Sequence, residues 1–228
     1  MKKDWKILSV GGSIIIPKTG FDIVFLKKFK KMIIDKIAKG ERFIIVIGGG
    51  ATCRAYQDAA RSVTTLSNQD LDWIGIHTTM YNAQFVKFLF KDIAHKDVIS
   101  NPTKKVKTSK SLIIAAGWKP GCSTDKDAVL FAKTYGAKEV FNLSNIEFVF
   151  DKDPSLHSDA KKITDISWNE FQKIVGTTWD PGLSAPFDPI ASILAKKLKL
   201  KVSILKGTDL VTVSKALSAK KFTGTIIS

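Results

Sequence analysis

The chain has 228 residues and a mass of 25.1 kDa, and 44% of its residues are hydrophobic while 25% are charged. These proportions are typical of a globular protein and exclude a disordered chain. Lysine and arginine outnumber aspartate and glutamate by 36 to 21, and the net charge of +15 favours anionic partners such as nucleotides, nucleic acid or acidic lipid. Two cysteines are too few for a disulfide framework, which favours a reducing, cytoplasmic location over secretion. No apolar run reaches the roughly 18 residues of a membrane span.

Short β-rich runs alternate with helical periods along the chain, which predicts an α/β fold with a mainly parallel sheet covered by helices. The predicted strands occupy residues 7–16 (interrupted by a glycine turn), 43–47, 111–116, 139–143, 146–150, 202–205 and 225–227. The predicted helices occupy residues 21–39, the stretch after Gly50, and residues 71–93, 127–135, 167–175 and 189–198. Residues 1–228 are therefore predicted to form a single domain, in which the lysine-rich segment 103–111 is the candidate exposed loop between two lobes.

Two of the predicted buried strands end in glycines and lead towards a helix. The first strand runs into Gly11-Gly12-Ser13 and the second into Gly48-Gly49-Gly50, with Arg54 four residues beyond. Without side chains, backbone N–H groups can approach a phosphate closely, and the following helix adds its positive dipole end. Parallel sheets bind ligands at the carboxyl ends of their strands, so both turns are expected to open on one edge. For either turn taken alone, a purely structural role of the glycines in turning the chain remains the alternative to phosphate binding.

Several other functional motifs are missing from the sequence. There is no G-x-x-x-x-G-K-[ST] phosphate loop and no G-x-G-x-x-G dinucleotide fingerprint. The three histidines have no zinc-ligand spacing with the cysteines, so no metal site is predicted. The lysine runs at 27–31, 104–110 and 196–201 are expected to be solvated faces, and the scattered tryptophans make nucleic-acid binding unlikely.

Seven short segments are informative together, because their joint order and spacing identify a family more specifically than any one segment does. They are SVGGS at 9–13, GGGATCR at 48–54, LDWIGI at 71–76, PGCSTD at 120–125, SNIEFVFDKDP at 144–154, FDPIA at 187–191 and GTII at 224–227. Together they resemble the amino-acid kinase family, and within it the uridylate kinases of the short, archaeal type. The resemblance runs over nearly the whole chain.

This resemblance implies a three-layer α/β/α sandwich in which ATP, accompanied by Mg²⁺, donates its γ-phosphoryl group to UMP. It implies an acceptor lobe at residues 1–122 and an ATP lobe at residues 123–228. It also implies a homo-oligomer, which is a hexamer in the family.

The resemblance also assigns site residues, position by position. The catalytic group would be Gly12, Ser13, Arg54 and Asp188. The ATP site would comprise Ser9, Val10, Gly11, Gly12, Ser13, Gly50, Arg54, Ser144, Asn145, Phe150 and Asp153. The UMP site would comprise Gly49, Asp72, Trp118, Lys119, Pro120, Gly121, Cys122, Ser123 and Thr124. Asp72 would bind the ribose, although an aspartate there could instead cap the long helix.

Three positions depart from the family pattern. Ser9 stands where many members carry a catalytic lysine, and Lys6 lies three residues away, in the wrong phase of the strand. Trp118 replaces a small hydroxyl residue and Phe148 replaces a turn glycine. Two alternatives therefore stay open: another enzyme of the family, such as an isopentenyl phosphate kinase or an acetylglutamate kinase, and a non-catalytic relative that binds nucleotides for storage or regulation.

Overall fold

The computed structural model describes residues 3–178 and 185–228. Its strands in chain order are β1 (Trp5–Val10), β2 (Arg42–Ile47), β3 (Leu112–Ala115), β4 (Glu139–Ser144), β5 (Val149–Phe150), β6 (Lys162–Ile163), β7 (Asp165–Ile166), β8 (Lys201–Lys206) and β9 (Thr225–Ile227). Its helices are α1 (Gly12–Ile15), α2 (Ile23–Ala38), α3 (Gly50–Val63), α4 (Asn68–Leu89), α5 (Thr124–Tyr135), α6 (Trp168–Val175), α7 (Pro189–Lys197) and α8 (Leu210–Leu217).

The central sheet has seven strands in the order β3-β2-β1-β4-β8-β9-β7. All neighbouring pairs are parallel except β8 and β9, so the α/β fold with a mainly parallel sheet is confirmed. Because β1, β2, β3, β4 and β8 run in one direction, the segments that follow them emerge at the same edge of the sheet. This edge is the place where a ligand site is expected in such a fold.

Hydrophobic cores fill both faces of the sheet, which gives three layers. Alternate residues of β2 point to opposite faces, so Phe43, Ile45 and Ile47 belong to one core while Ile44 and Val46 belong to the other. Helices α1, α2, α4 and α8 contribute buried residues to the first core, and α5, α6 and α7 contribute to the second. The long continuous apolar run of β2 is explained by this burial on both faces.

The first predicted strand was too long. It ends at Val10, and after Gly11 the residues Gly12–Ile15 form the helical turn α1. There Ile14 N–H donates to Gly11 O at 2.9 Å and Ile16 N–H donates to Gly12 O at 2.8 Å. Ile14 and Ile15 then enter the core beneath the sheet. A short continuous apolar run such as Ile14-Ile15-Ile16 looks the same in a buried strand and in one buried helical turn, so the pattern alone did not separate them.

Other elements differ in their bounds. Helix α4 begins at Asn68, three residues before the prediction, because Ser67 and Asp70 form a capping box there. The predicted strand at 146–150 shrinks to β5, which pairs with β6 outside the central sheet. Helix α8 and the short strands β6 and β7 had not been predicted. Among the helices described, none is long and apolar enough to cross a membrane.

The lysines of the runs at 27–31 and 104–110 are exposed, as predicted, whereas Lys201 of the run at 196–201 is half-buried and pairs with Glu139 at 2.9 Å. Lysines 27, 28, 30 and 31 are exposed along one side of α2, opposite its buried Phe25, Phe29 and Ile33. The segment 103–111 is an irregular connection that leads into β3 and is tied to α5, since Val106 N–H donates to the Tyr135 hydroxyl at 2.8 Å. The division into lobes at 122/123 stays a prediction.

Gly50 offers a test of how tightly the chain is packed at the sheet edge. Gly50 and Gly40 both have positive φ, +64° and +81°, but a Cβ at Gly50 would lie 2.4 Å from backbone atoms of Gly12 and Ser13, whereas one at Gly40 would meet nothing within 4 Å. Gly40→Ala should therefore cost only the left-handed penalty of about 1–2 kcal/mol. Gly50→Ala should cost about 2 kcal/mol more because backbone must also shift. Equal losses in urea unfolding would contradict the close approach.

Candidate active site at the carboxyl edge of the sheet

The two glycine turns meet directly at the carboxyl edge. A Cβ on Gly12 would lie 2.4 Å from both Gly48 O and Gly50 N, and a Cβ on Gly50 would lie 2.4 Å from Gly12 C. Real side chains do not approach backbone this closely, so both positions require hydrogen in place of a side chain. The turns therefore face each other, as the sequence predicted.

Backbone N–H groups of the two turns divide into two sets. Gly11 N–H donates to Leu143 O and Gly48 N–H donates to Val10 O, both at 2.9 Å, so these two groups join the turns to the sheet. The N–H groups of Gly12, Gly49 and Gly50 take part in no hydrogen bond with the described residues. The expectation that Gly11 N–H is free for a ligand was therefore wrong, because β4 already uses it.

One cavity of about 540 Å³ lies on the side of the first glycine turn. We refer to it as the donor cavity. It is lined by Ser9, Gly11, Gly12, Ser13, Ile14, Gly48, Gly49, Gly50, Arg54, Thr124, Asp125, Asn142, Ser144, Asn145, Ala185 and Pro186. It thus brings together eight of the eleven residues predicted for ATP, and adds Asp125 and Asn142, to which no role had been given.

A second cavity of about 210 Å³ lies between α3, α4 and the loop after β3. We refer to it as the acceptor cavity. It is lined by Gly49, Gly50, Cys53, Arg54, Gln57, Asp72, Gly75, Ile76, Thr79, Gly117, Cys122, Ser123 and Thr124. Five of the nine residues predicted for UMP are among them. Four residues line both cavities and form what we call the common wall: Gly49, Gly50, Arg54 and Thr124.

Arg54 extends along this common wall. It lies one turn into α3, which begins at the glycine turn, and its guanidinium donates to Ser13 Oγ at 3.3 Å. The side chain is exposed and lines both cavities, so its remaining donors can reach an anion in either. A guanidinium suits this position because it binds phosphate oxygens in a bidentate manner.

Asp72 is a cavity residue and does not cap α4. Ser67 caps that helix, which excludes the alternative raised by the sequence. Oδ2 of the Asp72 carboxylate accepts a hydrogen bond from Gly121 N–H at 2.7 Å. This contact ties α4 to the loop of residues 117–123, which we call the acceptor loop.

A second carboxyl group, that of Asp127, holds the acceptor loop from the opposite side. It is completely buried, and it accepts hydrogen bonds from Trp118 N–H and from the Cys122 thiol, both at 3.1 Å. Burial raises the pKa of Asp127 to about 7, against the opposing effect of these hydrogen bonds. Burial and the nearby Asp127 also raise the pKa of the Cys122 thiol, so Cys122 is a hydrogen-bond donor rather than a nucleophile.

Asp125 is the carboxylate at the floor of the donor cavity. Its Oδ1 accepts from Ser9 Oγ at 2.8 Å and from Asn142 Nδ2 at 3.2 Å, while Oδ2 accepts from Asp188 N–H at 3.3 Å. Protein surrounds the carboxyl group below the cavity, and this burial raises its pKa to about 6. The segment PGCSTD contained Asp125, but only contacts to distant strands distinguish it from its neighbours.

Several predicted site residues lie outside the lining of both cavities. For the ATP site these are Val10, Phe150 and Asp153, and for the UMP site they are Trp118, Lys119, Pro120 and Gly121. The Trp118 indole thus lines neither cavity; its ring centroid lies 4.3 Å from the Lys119 ammonium. The lobe and site assignments for these residues stay predictions.

Asp188 and Lys6 have structural contacts of their own. Asp188 is buried and caps α7, accepting from Ala191 N–H at 2.5 Å. Its catalytic assignment stays a prediction: Asp188 is not among the residues that line the donor cavity, and its N–H donates to Asp125, which is. Lys6 pairs with Glu41 at 2.8 Å near the amino-terminal edge of the sheet, so it cannot replace the catalytic lysine that many family members carry at the position of Ser9.

Comparison with known proteins identifies the family. A family model described as "Amino acid kinase family" matches residues 4–206. The chain belongs to the amino acid kinase family.

Relatives of this amino acid kinase chain match it over most of its length. It is 29% identical to a uridylate kinase of Methanocaldococcus jannaschii over 226 residues, which cover 97% of this chain and 98% of that one. It is also 29% identical to a uridylate kinase of Methanococcus aeolicus over 88% of this chain and 90% of that one. The uridylate kinase structure from Archaeoglobus fulgidus superposes with a TM-score of 0.80 and 25% identity, covering 99% of this chain and 100% of that one. The predicted family and fold are thus confirmed.

The raised pKa of Asp127 predicts a pH-dependent effect on stability. A carboxyl group whose pKa rises from about 3.9 in the unfolded chain to about 7 in the folded one stabilises the fold at low pH. That contribution is lost as the pH rises from about 4 to about 7. Asp127→Asn keeps an acceptor for Trp118 N–H without a buried charge, so it should raise the free energy of unfolding relative to wild type by at least about 1 kcal/mol more at pH 8 than at pH 5.

The exposed Asp4 provides the control for this measurement. Asp4→Asn should shift the free energy of unfolding by a similar amount at both pH values, because its carboxyl group is in water in both states. If Asp127→Asn behaves like Asp4→Asn in urea unfolding at pH 5 and pH 8, the buried charge has no such role.

Proposed function

We propose that this chain is a uridylate kinase, which transfers the γ-phosphoryl group of ATP to UMP and releases UDP and ADP. The observation that carries the proposal is the common wall of two cavities, formed by Gly49, Gly50, Arg54 and Thr124. An enzyme that moves a phosphoryl group between two nucleotides needs such a wall, where the donor and acceptor phosphates can lie in line. The names of the full-length relatives support this choice of substrates.

The wall suits the chemistry of phosphoryl transfer. Charge spreads over the equatorial oxygens of the transferred group, and positioning with charge stabilisation supplies most of the catalysis. The N–H groups of Gly12, Gly49 and Gly50, free of partners in the described chain, would donate to these oxygens. Arg54 would add a charged donor from the same wall. No side chain needs to form a covalent intermediate, which fits a site built largely from backbone.

ATP would occupy the donor cavity, with its phosphates against the first glycine turn. Ser144 ends β4 and Asn145 follows it; both line this cavity, and we assign the adenosine to the part that they line. Phe150 and Asp153 come later in the same connection and would complete the adenosine site.

Magnesium fits the donor cavity. Mg²⁺ prefers oxygen ligands and takes most of its octahedral shell from phosphates and waters, so one or two carboxylates are enough on the protein side. Asp125 is the carboxylate that lines this cavity in the described chain, and it would hold the ion. When bound with ATP, Mg²⁺ would neutralise phosphate charge. Among the described residues there is no cluster of three or more metal-ligating side chains.

UMP would occupy the acceptor cavity. Arg54 at the common wall would bind its phosphate, and Asp72 would accept hydrogen bonds from the ribose hydroxyls. Asp72 and Gln57 give this cavity polar groups that suit a nucleotide better than the apolar tail of isopentenyl phosphate. The acceptor loop would enclose the base.

An acceptor screen tests the proposal. Purified protein with Mg²⁺-ATP is assayed for ADP formation with UMP, CMP, isopentenyl phosphate or N-acetylglutamate. We expect turnover with UMP at a kcat/KM at least tenfold above that of the last two compounds. Preference for either of those would assign the chain to another enzyme of the family. Binding of ATP without turnover of any acceptor would indicate a storage or regulatory protein.

Asp72 provides the sharpest variant for the acceptor site. Asp72→Asn keeps the shape of the side chain but weakens the bonds to ribose hydroxyls and to Gly121 N–H, so kcat/KM for UMP should fall at least tenfold, about 1.4 kcal/mol. The KM for ATP should change less than threefold. Asp70→Asn makes the same charge change two residues earlier, outside the cavity, and should leave both values near wild type. Equal effects of the two variants in steady-state kinetics would contradict the assignment.

We extend the proposal to a cytoplasmic homo-oligomer, a hexamer by resemblance to the family. The supporting feature is an apolar groove on the outer side of α3 and α4, which we call the aromatic groove. Tyr56, Trp73 and Tyr81 line it and are 63%, 43% and 76% exposed. A second copy of the chain would cover these rings, since homo-oligomers bury apolar faces of this kind. The opposite sides of the same helices line the acceptor cavity.

Mutation of the aromatic groove tests the self-association. The double variant Tyr56→Lys/Tyr81→Lys would place two charges in the apolar contact, so the mass from light scattering during size-exclusion chromatography should fall to the 25.1 kDa of one chain. Leu156→Lys changes an equally exposed apolar residue away from the groove and should leave the mass unchanged. A wild-type protein of 25.1 kDa would refute the oligomer, and an unchanged mass of the double variant would exclude this surface.

A further inference from the structure

Asn82 connects α4 to the second glycine turn. It lies in the middle of α4 and is completely buried. Its Nδ2 donates to two successive carbonyl oxygens, those of Gly48 at 3.0 Å and Gly49 at 3.1 Å. No resemblance or cavity had pointed to this residue, since its side chain lies behind the turn and lines neither cavity.

These two bonds, together with Cys53 N–H, which also donates to Gly49 O at 3.3 Å, hold the carbonyl groups of the turn and so set the direction of the N–H groups on its other side. In a trans peptide, the C=O of one residue and the N–H of the next point in opposite directions. The chain has no cis peptide among its described residues. Holding Gly48 O and Gly49 O towards Asn82 therefore turns the N–H groups of Gly49 and Gly50 away from it. Those are the N–H groups that have no partner at the common wall.

The energetic cost of burying Asn82 Oδ1 without a partner supports a functional role for Asn82. Asn82 Oδ1 is buried without a hydrogen-bond partner among the described residues. Rotating the amide by 180° would place Oδ1 against two carbonyl oxygens, so the unpaired oxygen follows from the two donated bonds. A buried unpaired acceptor costs roughly 1–3 kcal/mol. An apolar side chain would avoid that cost but could not orient the turn.

We propose that Asn82 is a positioning residue for phosphoryl transfer, which acts by directing the N–H groups of Gly49 and Gly50 from the common wall towards the cavities. The inference rests on the proposed kinase function. It also links the sites, because α4 presents Asp72, Ile76 and Thr79 to the acceptor cavity and Asn82 to the turn. The helix that lines the acceptor cavity therefore also orients the N–H groups that would stabilise the transferred phosphoryl group.

Two variants of similar size test this role. Asn82→Leu keeps the branching of the side chain without a donor, and Asn82→Asp replaces the donor by a second oxygen. Val86→Ala is the matched control, because Val86 is buried one turn later on α4 and touches the core rather than the turn. All three are compared by thermal unfolding and by steady-state kinetics with UMP and Mg²⁺-ATP.

A positioning role predicts a specific kinetic pattern. We expect kcat to fall at least tenfold in Asn82→Leu and in Asn82→Asp, with both KM values within threefold of wild type. Val86→Ala should lose stability but keep kcat within twofold. A folded Asn82→Leu with kcat within threefold of wild type would overturn the inference. Failure of both Asn82 variants to fold, while Val86→Ala folds, would assign Asn82 to stability alone and overturn it as well.

A binding measurement separates this inference from the proposed function. If the wild type phosphorylates none of the acceptors, the kinase proposal fails, and calorimetric titration with Mg²⁺-ATP becomes the test of Asn82. In a protein without transfer, the N–H groups of Gly49 and Gly50 would serve ground-state phosphate binding instead, so we then expect the Kd of Mg²⁺-ATP to rise at least tenfold in the folded Asn82 variant. An unchanged Kd would show that the turn binds phosphate without help from Asn82.

Discussion

The close approach of two backbone turns is the constraint on which the rest of the site depends. Gly12 and Gly50 come together so tightly that a Cβ on either would lie 2.4 Å from the backbone of the other turn. This contact merges the ends of β1 and β2 into one wall and leaves unpaired N–H groups on both sides of it. The donor and acceptor cavities share a boundary because of this contact, and any side chain at Gly12 or Gly50 would separate the turns.

Much of this arrangement could be predicted from the sequence, because the governing forces are local. The apolar run of β2 requires burial on both faces, and the three glycines after it allow the turn into α3. Parallel strands then place both glycine turns at one edge. Arg54 was also found, since it lies four residues beyond the second glycine turn, and Asp72 was assigned by the resemblance of segment 71–76 to the family. The sheet followed from the strand pattern, and the family from the resemblance of the seven segments.

Other features depend on contacts between distant segments, which a single sequence does not reveal. Gly11 N–H is used by Leu143, more than a hundred residues away, and Asp125 is defined by its bonds to Ser9 and Asn142. Asn82 looks like an ordinary polar residue of a long helix until the turn beneath it is seen. The strands β6 and β7 were missed for a different reason: with two residues each, they are too short for a periodic pattern to emerge.

The bond between Asp72 and Gly121 has a consequence for the timing of turnover. Asp72 Oδ2 is engaged by the acceptor loop, so in the proposed complex Oδ1 remains for the ribose. Loop closure and nucleotide binding would then reinforce each other through one carboxylate. The same coupling would delay departure of the diphosphate, because the loop and the sugar must leave that carboxylate together.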